Sequence, residues 1–237
     1  DDQVIDAFYK LRQRNLVLLC LSSKLGSIGD LGKSFRTYAD ENKHRFISTP
    51  SLGNMNSSNF NALWDSIDVD YSILKKRGDM LKNQLDEAEE VHITTPAGTD
   101  LYMNVKGKES VLNIGDYRSP GTGGNIPAGE VYTPPKWKNV EGTVVIDGSS
   151  ACREGTILIK DPIRLTIKRD EVVNIEGGKE ATRLEGTLIW AERRAKHPWG
   201  IRRVGELGIG INDKAKIVGS TIIDEKTLGT AHIAMGS

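Results

Sequence analysis

The sequence predicts an α/β N-terminal domain, residues 1–90, followed by a β-rich α+β C-terminal domain, residues 91–237. Before residue 90 helix-like and strand-like apolar patterns alternate, whereas short alternating segments and glycine-containing turns dominate after it. The length of 237 residues suits one to two domains at about 150 residues each. Hydrophobic residues make up 38% and charged residues 27%, which favours a folded chain over a disordered one.

Four short elements are predicted ahead of Pro50. Apolar residues recur at helical spacing over 4–11, which indicates an amphipathic helix. The unbroken apolar run 16–21 predicts a buried parallel strand. A second helix is predicted over 35–42, and residues 45–48 predict a strand that ends before the proline.

A long helix is predicted to begin after Asp70, whose side chain suits an N-cap. Its apolar positions run from Ile73 to Ala88 at helical spacing. Gly78 lies inside this helix, where glycine is unfavourable because it loses the most backbone freedom on folding. We expect the N-terminal domain to be incomplete and to end near residue 90.

Strands and turns are predicted for most of the chain beyond residue 90. The segments with alternating apolar residues are 91–95, 101–105, 142–148, 157–159, 163–167 and 172–175. A helix is predicted only over 181–195 in this part.

The charge balance excludes several classes of partner. Lysine plus arginine and aspartate plus glutamate both number 32, so the formal net charge is zero. We therefore expect no binding of nucleic acid and no basic membrane anchor. The longest apolar run, 16–21, is far shorter than the roughly 18 residues of a membrane helix. Two cysteines, Cys20 and Cys152, do not make a disulfide scaffold, which favours a cytoplasmic location.

Motifs of several common enzyme classes are missing. The glycine-rich stretch 121–124 is not followed by the Lys-Ser pair of a phosphate-binding loop. Neither the nucleophile elbow of serine hydrolases nor the His-Glu-x-x-His motif of zinc peptidases occurs.

Three side chains that can bind a metal lie in glycine-rich, apolar surroundings: Glu130, Glu206 and His232. A carboxylate or imidazole among apolar neighbours is costly to bury unless a partner compensates it, and a divalent metal is one such partner. Two carboxylates and an imidazole suit zinc, cobalt or manganese. Each residue taken alone also fits a hydrogen-bonded or solvent-exposed side chain, so the spacing by itself does not specify a site.

Five ordered motifs in residues 91–237 resemble the thermophilic, leucyl-type aminopeptidases, a family of dinuclear metallopeptidases. They are G-T-D-L at 98–101, N-I-P-A-G-E-V-Y-T at 125–133, G-T-V-V-I-D-G-S at 142–149, G-E-L-G-I-G-I-N at 205–212 and D-E-K-T-L-G-T-A-H-I-A-M-G at 224–236. The resemblance implies that Glu130, Glu206 and His232 are metal ligands, with the two glutamates in catalytic roles. It also implies that the C-terminal domain bears the metal.

The resemblance further implies a hydrolase that removes N-terminal residues from peptides. Two divalent ions per complete site, chosen among zinc, cobalt, manganese and magnesium, would activate water and polarise the peptide carbonyl. It implies a homodimer as well. Members of the family continue to further metal ligands after the His232 motif, so we expect the chain to be a trimmed form of a longer protein.

Two alternatives stay open at this stage. Iron-dependent ring-cleaving dioxygenases that act on dihydroxypyridines are similar over the same region. The presence of both Glu130 and Glu206 favours the peptidase, because a single-iron site needs fewer carboxylates. A non-catalytic homologue with an incomplete metal site is the second alternative.

The remaining histidines are predicted to have no role in a metal site. His44 follows polar residues and is expected at a solvated helix end. His92 is expected at a strand surface or edge, and His197, which precedes Pro198, in a turn.

Overall fold

The computed structural model describes residues 2–20, 34–50, 52, 55 and 57–236, which form a mixed α/β, sheet-rich fold. The α-helices in this part are α1 (Asp2–Tyr9), α2 (Phe35–Glu41), α3 (Ser57–Ile67), α4 (Tyr71–Glu87), α5 (Lys179–Glu192) and α6 (Thr221–Asp224). The strands before residue 135 are β1 (Leu16–Cys20), β2 (Arg45–Thr49), β3 (Glu90–Thr94), β4 (Asp100–Asn104), β5 (Val111–Asn113), β6 (Gly123–Asn125) and β7 (Glu130–Thr133). The later strands are β8 (Val140–Ile146), β9 (Ser149–Cys152), β10 (Gly155–Leu158), β11 (Ile163–Lys168), β12 (Glu171–Glu176), β13 (Val204–Gly210) and β14 (Ala231–Met235).

A small parallel sheet in the order β1–β2–β6 contains the predicted apolar strand. The prediction of a parallel strand is confirmed, but the prediction that it is buried is wrong. Leu16 and Leu18 remain 54% and 64% exposed, while Val17 and Leu19 pack on the other face against a cluster around Phe8. The alternation arises because β1 lies at the edge of the sheet and helices cover the face of Val17 and Leu19. Leu21 lies outside the described residues.

Strands from both sides of the predicted boundary share this sheet. β6 pairs in parallel with β2, and a side chain on Gly123 would lie 2.2 Å from the ring of Phe46. Glycine is therefore required where β6 approaches β2. The division of the chain near residue 90 stays a prediction.

The largest sheet has the order β12–β11–β8–β4–β3 and is antiparallel throughout. Its inward residues, such as Leu101, Met103 and Leu165, form the main hydrophobic core together with Leu184 and Leu188 of α5. The predicted alternation over 91–95, 101–105 and 163–167 is confirmed here. Successive side chains of a strand point to opposite faces, so the alternation of apolar and polar residues indicates that one face of each strand is buried.

A four-stranded antiparallel sheet in the order β14–β13–β7–β5 packs against α4. Asp70 is the N-cap of α4, as predicted, and its carboxylate accepts hydrogen bonds from the backbone of Ser72 and Ile73. Gly78 is buried where α4 crosses β5, and a side chain there would lie 2.5 Å from Leu112. The unfavourable glycine thus permits the close approach of helix and sheet.

Helices α3 and α6 were not predicted. They pack together through Leu63, Ile222 and Ile223, which form a separate hydrophobic cluster. Among the residues that the structure describes, no helix combines the length and the hydropathy needed to cross a membrane.

His44 is fully buried, so the prediction that it lies at a solvated helix end is wrong. Its ring packs against Tyr38, and its Nδ1 accepts a hydrogen bond from the backbone of Asn15 at 3.1 Å. Its own carbonyl accepts from the backbone of Gly121. Burial lowers the pKa of His44, which keeps the imidazole neutral in the folded protein.

This buried imidazole predicts a specific loss of stability in acid. As pH falls below about 6.5, the unfolded chain binds a proton at His44 that the folded chain resists, so the free energy of unfolding decreases. One such group contributes at most about 1.4 kcal/mol per pH unit. We expect His44→Gln to show a shallower decline than wild type between pH 7 and pH 5 in urea titrations. His197→Gln, at an exposed position, is the control. Parallel pH profiles for wild type and His44→Gln would contradict this account.

Candidate metal centre

One face of the four-stranded sheet brings the predicted ligands together. In the register of β13 with its neighbours, Gly208 lies opposite both His232 and Tyr132, and Gly210 lies opposite Glu130. Residues directly opposite each other share a face of the sheet. Since side chains alternate along a strand, Glu206 lies on this face too.

The glycines of the β13 motif leave the space that the site occupies. A side chain on Gly208 would lie 2.1 Å from Nε2 of His232, so only glycine accommodates the imidazole over this strand. A side chain on Gly210 would lie 2.1 Å from the carbonyl oxygen of Thr227. The glycine-rich pattern therefore makes room for His232 and for the segment that contains Lys226.

Glu130 is 6% exposed and lies at the centre of the site. Its Oε1 accepts from Nζ of Lys226 at 2.5 Å and from the side-chain amide of Asn113 at 3.3 Å. Its Oε2 lies 3.7 Å from Nε2 of His232. The two oxygens of this carboxylate thus face different partners.

Lys226 is a fully buried lysine, with 0% of its surface exposed. Besides Glu130, its ammonium contacts Oε2 of Glu225 at 3.2 Å. A buried ammonium is stable only when carboxylates and hydrogen bonds compensate its loss of hydration. The contacts with Glu130 and Glu225 therefore hold the side chain of Lys226 inside the site.

Asn212 holds the segment of Lys226 in place. Its backbone N–H donates to the carbonyl of Lys226 at 2.8 Å. Its buried amide donates to the carbonyls of Ser66 and Ala128, each at 2.8 Å. One residue thus ties helix α3, the loop before Glu130 and the lysine segment together.

His232 has two ring nitrogens that are shielded from solvent and have no hydrogen-bond partner among the described residues. Burial is the largest influence on this imidazole and lowers its pKa, so the neutral form is favoured. A neutral imidazole with an unused ring nitrogen beside carboxylates is what a metal ligand requires. The Nε2 atom lies 3.9 Å from Oε1 of Glu206.

The carboxylates around His232 form a partly open cluster. Side chains of Glu206 and Glu225 are about one-third exposed, at 35% and 32%, whereas Glu130 is buried. Burial, followed by the charges of Glu130 and Glu225, raises the pKa of Glu206. The site is therefore accessible from the side of Glu206 and Glu225.

The tightest set of potential ligands differs in one member from the predicted set. Ligand atoms of Glu130, Glu225 and His232 all lie within 4.8 Å of one another. Glu206 contacts His232 but is not in that set. Glu225 and Lys226 were not predicted as site residues. Both lie within the motif 224–236 that contains His232, and that position is the signal that could have identified them.

The charges of the site fit a single divalent cation. Glu130, Glu206 and Glu225 contribute three negative charges and Lys226 one positive charge, which leaves two negative charges. The imidazole of His232, whose ring nitrogens have no hydrogen-bond partner among the described residues, fits the same conclusion. Carboxylate and imidazole ligands together suit zinc, manganese or iron.

Comparison with known families identifies relatives of this chain. Residues 71–235 match the model of the NicX family, described as 2,5-dihydroxypyridine 5,6-dioxygenase. A 2,5-dihydroxypyridine 5,6-dioxygenase of Pseudomonas putida KT2440 is 27% identical over 107 residues, which cover 45% of this chain and 31% of the relative. The matched segment therefore spans about one-third of the length of that protein.

Two solved structures share the fold. The dioxygenase structure from Pseudomonas putida KT2440 matches with a TM-score of 0.64 and 19% identity, over 81% of this chain and 54% of the other. Wild-type AmpT from Thermus thermophilus matches with a TM-score of 0.56 and 19% identity, over 81% of this chain and 51% of the other. At such identities the likeness concerns the fold alone.

These findings correct the functional prediction. The assignment to the aminopeptidases is wrong, and so are the peptidase activity and the hydrolase class, because the matching family model covers most of the chain and describes a dioxygenase. The alternative of a ring-cleaving dioxygenase is the better supported one. The roles of Glu130, Glu206 and His232 stay predictions. This chain belongs to the NicX family, the 2,5-dihydroxypyridine 5,6-dioxygenases.

Proposed function

We propose that this chain is part of a dioxygenase that opens the ring of a dihydroxylated pyridine at a metal held by Glu130 and His232. The observation that supports it most is that the family match, residues 71–235, includes Glu130, Glu206, Glu225, Lys226 and His232. Glu206 and Glu225 are the further carboxylates within reach of His232. The match covers only 54% of the solved dioxygenase. We therefore propose the activity for the whole protein that contains this chain.

Ferrous iron is the metal we propose. When bound, it would supply the redox chemistry through which dioxygen reacts with the ring. Many non-haem iron oxygenases use two histidines and one carboxylate. Among the described residues, this site brings together one histidine, His232, with Glu130 and Glu225, so the ligand set here is richer in carboxylates. The expectation of two ions per site is not part of this proposal.

The surroundings of the site suit an aromatic, oxygen-bearing substrate. Tyr132 lies on the same sheet face, opposite Gly208. Burial raises the pKa of its hydroxyl, and the positive charge of Arg36 acts in the opposite direction. The ring of Tyr132 on this sheet face supports binding of a hydroxypyridine through stacking. The homodimer and the cytoplasmic location remain proposals as well.

The metal site itself is testable by binding alone. Loss of an outer-shell partner typically costs about 10- to 100-fold in metal affinity, and loss of a ligand should cost more. We therefore expect His232→Ala to weaken cobalt(II) binding by over about 100-fold in isothermal titration calorimetry. His92→Ala is the matched control, since His92 is partly exposed and pairs with Asp100 on the largest sheet. Equal affinities of wild type and His232→Ala would contradict the site.

The activity is tested by oxygen consumption. Protein reconstituted anaerobically with ferrous iron is expected to consume dioxygen when 2,5-dihydroxypyridine is added, and to yield a product that contains both oxygen atoms. We expect His232→Ala to abolish this uptake and His92→Ala to retain it. An oxygen electrode and mass spectrometry with labelled dioxygen provide the readout. No uptake by the iron-loaded wild-type protein that contains this chain in full would refute the proposed activity.

A further inference from the structure

The two oxygens of Glu130 have different partners, and this difference has a structural origin. Oε1 accepts from Lys226 at 2.5 Å and from Asn113 at 3.3 Å. Oε2 faces Nε2 of His232 at 3.7 Å. A carboxylate oxygen that already accepts two hydrogen bonds is a poor metal ligand, because its lone pairs are engaged. Oε2 is the oxygen left for an ion.

Asn113 is placed to make its bond by the register of the sheet. It ends β5 directly opposite Glu130 on β7, and its carbonyl accepts from the backbone of Gly129. Its side-chain amide can present either a donor or an acceptor to Glu130, depending on how it is rotated. A further contact must therefore fix the rotation of the Asn113 side chain so that its NH₂ group faces the carboxylate of Glu130.

Tyr117 provides that constraint. Its hydroxyl lies 2.5 Å from Oδ1 of Asn113, to which it donates, and 3.0 Å from the carbonyl oxygen of Asn125. Rotating the amide of Asn113 would remove this acceptor and place its oxygen against the carboxylate of Glu130. Gly124 leaves the space for the hydroxyl, since a side chain there would lie 2.6 Å from it. The tyrosine thus orients the amide that holds the glutamate.

We propose that Tyr117, acting through Asn113, and Lys226 are positioning residues that leave Oε2 of Glu130 as its sole metal-binding oxygen. This inference rests on the metal site of the proposed function and adds how that site is arranged. Glu130 then binds one ion through one oxygen. This arrangement opposes a bridge in which each of the two oxygens of Glu130 binds its own ion, because Oε1 is held by Lys226 and Asn113.

A double-mutant cycle on cobalt(II) affinity tests the proposal without any substrate. Tyr117→Phe removes only the hydroxyl, and Asn113→Ala removes the amide that it orients. We expect each variant to bind cobalt(II) about 10-fold or more weakly than wild type, as for other outer-shell partners of metal ligands. If the tyrosine acts through the asparagine, the double variant is no weaker than Asn113→Ala alone.

Tyr102→Phe is the matched control, because Tyr102 stacks on His92 in the largest sheet and not near the site. We expect its affinity and its thermal midpoint to equal those of wild type. Wild-type affinity in Tyr117→Phe, or strictly additive losses in the double variant, would overturn the proposal. If Tyr117→Phe does not fold, the cobalt(II) affinity of Asn113→Ala tests the proposal instead. Wild-type affinity in Asn113→Ala would then overturn the proposal.

The outcomes separate this inference from the proposed function. Absence of cobalt(II) binding in wild type removes the metal site, and both proposals with it. Binding that is insensitive to Tyr117 and Asn113 removes only the positioning role. Oxygen uptake does not enter the test, so a protein that binds metal but lacks activity still answers it.

Discussion

The buried pair of Lys226 and Glu130 is the interaction on which the site depends. An ammonium and a carboxylate taken out of water lose several kcal/mol of hydration each, and the loss is offset only by close, well-satisfied contacts. Gly210 and the backbone N–H of Asn212 allow the segment that contains Lys226 to approach the sheet closely, which makes the pair possible. Removing either charge would leave the other buried without a partner, which typically costs about 3–5 kcal/mol.

Much of the fold could be predicted from local patterns. The alternation over β3, β4 and β11 reflects one buried face of each strand, and the cap at Asp70 marks the start of α4. Sequence patterns gave the wrong prediction where contacts between distant parts of the chain determine whether a side chain is buried. The exposure of Leu18 depends on which face the helices cover, and the burial of His44 depends on Tyr38 and Asn15, which pack on it.

The site could be predicted only in part, for a similar reason. Glu130, Glu206 and His232 stand out because each is a charged or titratable residue in an apolar segment. Lys226 and Asn113 give no such signal, since their roles arise from the register of β5 with β7 and from a loop that crosses Gly210. The motifs themselves indicate a metal-binding fold, and a fold shared by different proteins does not specify the reaction. That is why the motifs led to the wrong chemistry, while the roles of Glu130, Glu206 and His232 stay predictions.

The central claim is that one divalent ion binds between Nε2 of His232 and Oε2 of Glu130. Lys226 stays bound to Oε1 of the same carboxylate. A crystal structure of the cobalt(II)-loaded protein, with anomalous diffraction recorded at the metal edge, tests it most directly. The account predicts one anomalous peak within bonding distance of Nε2 of His232 and Oε2 of Glu130, with Nζ of Lys226 still on Oε1. A peak remote from His232, or an ion that has displaced Lys226 from Oε1, would contradict it.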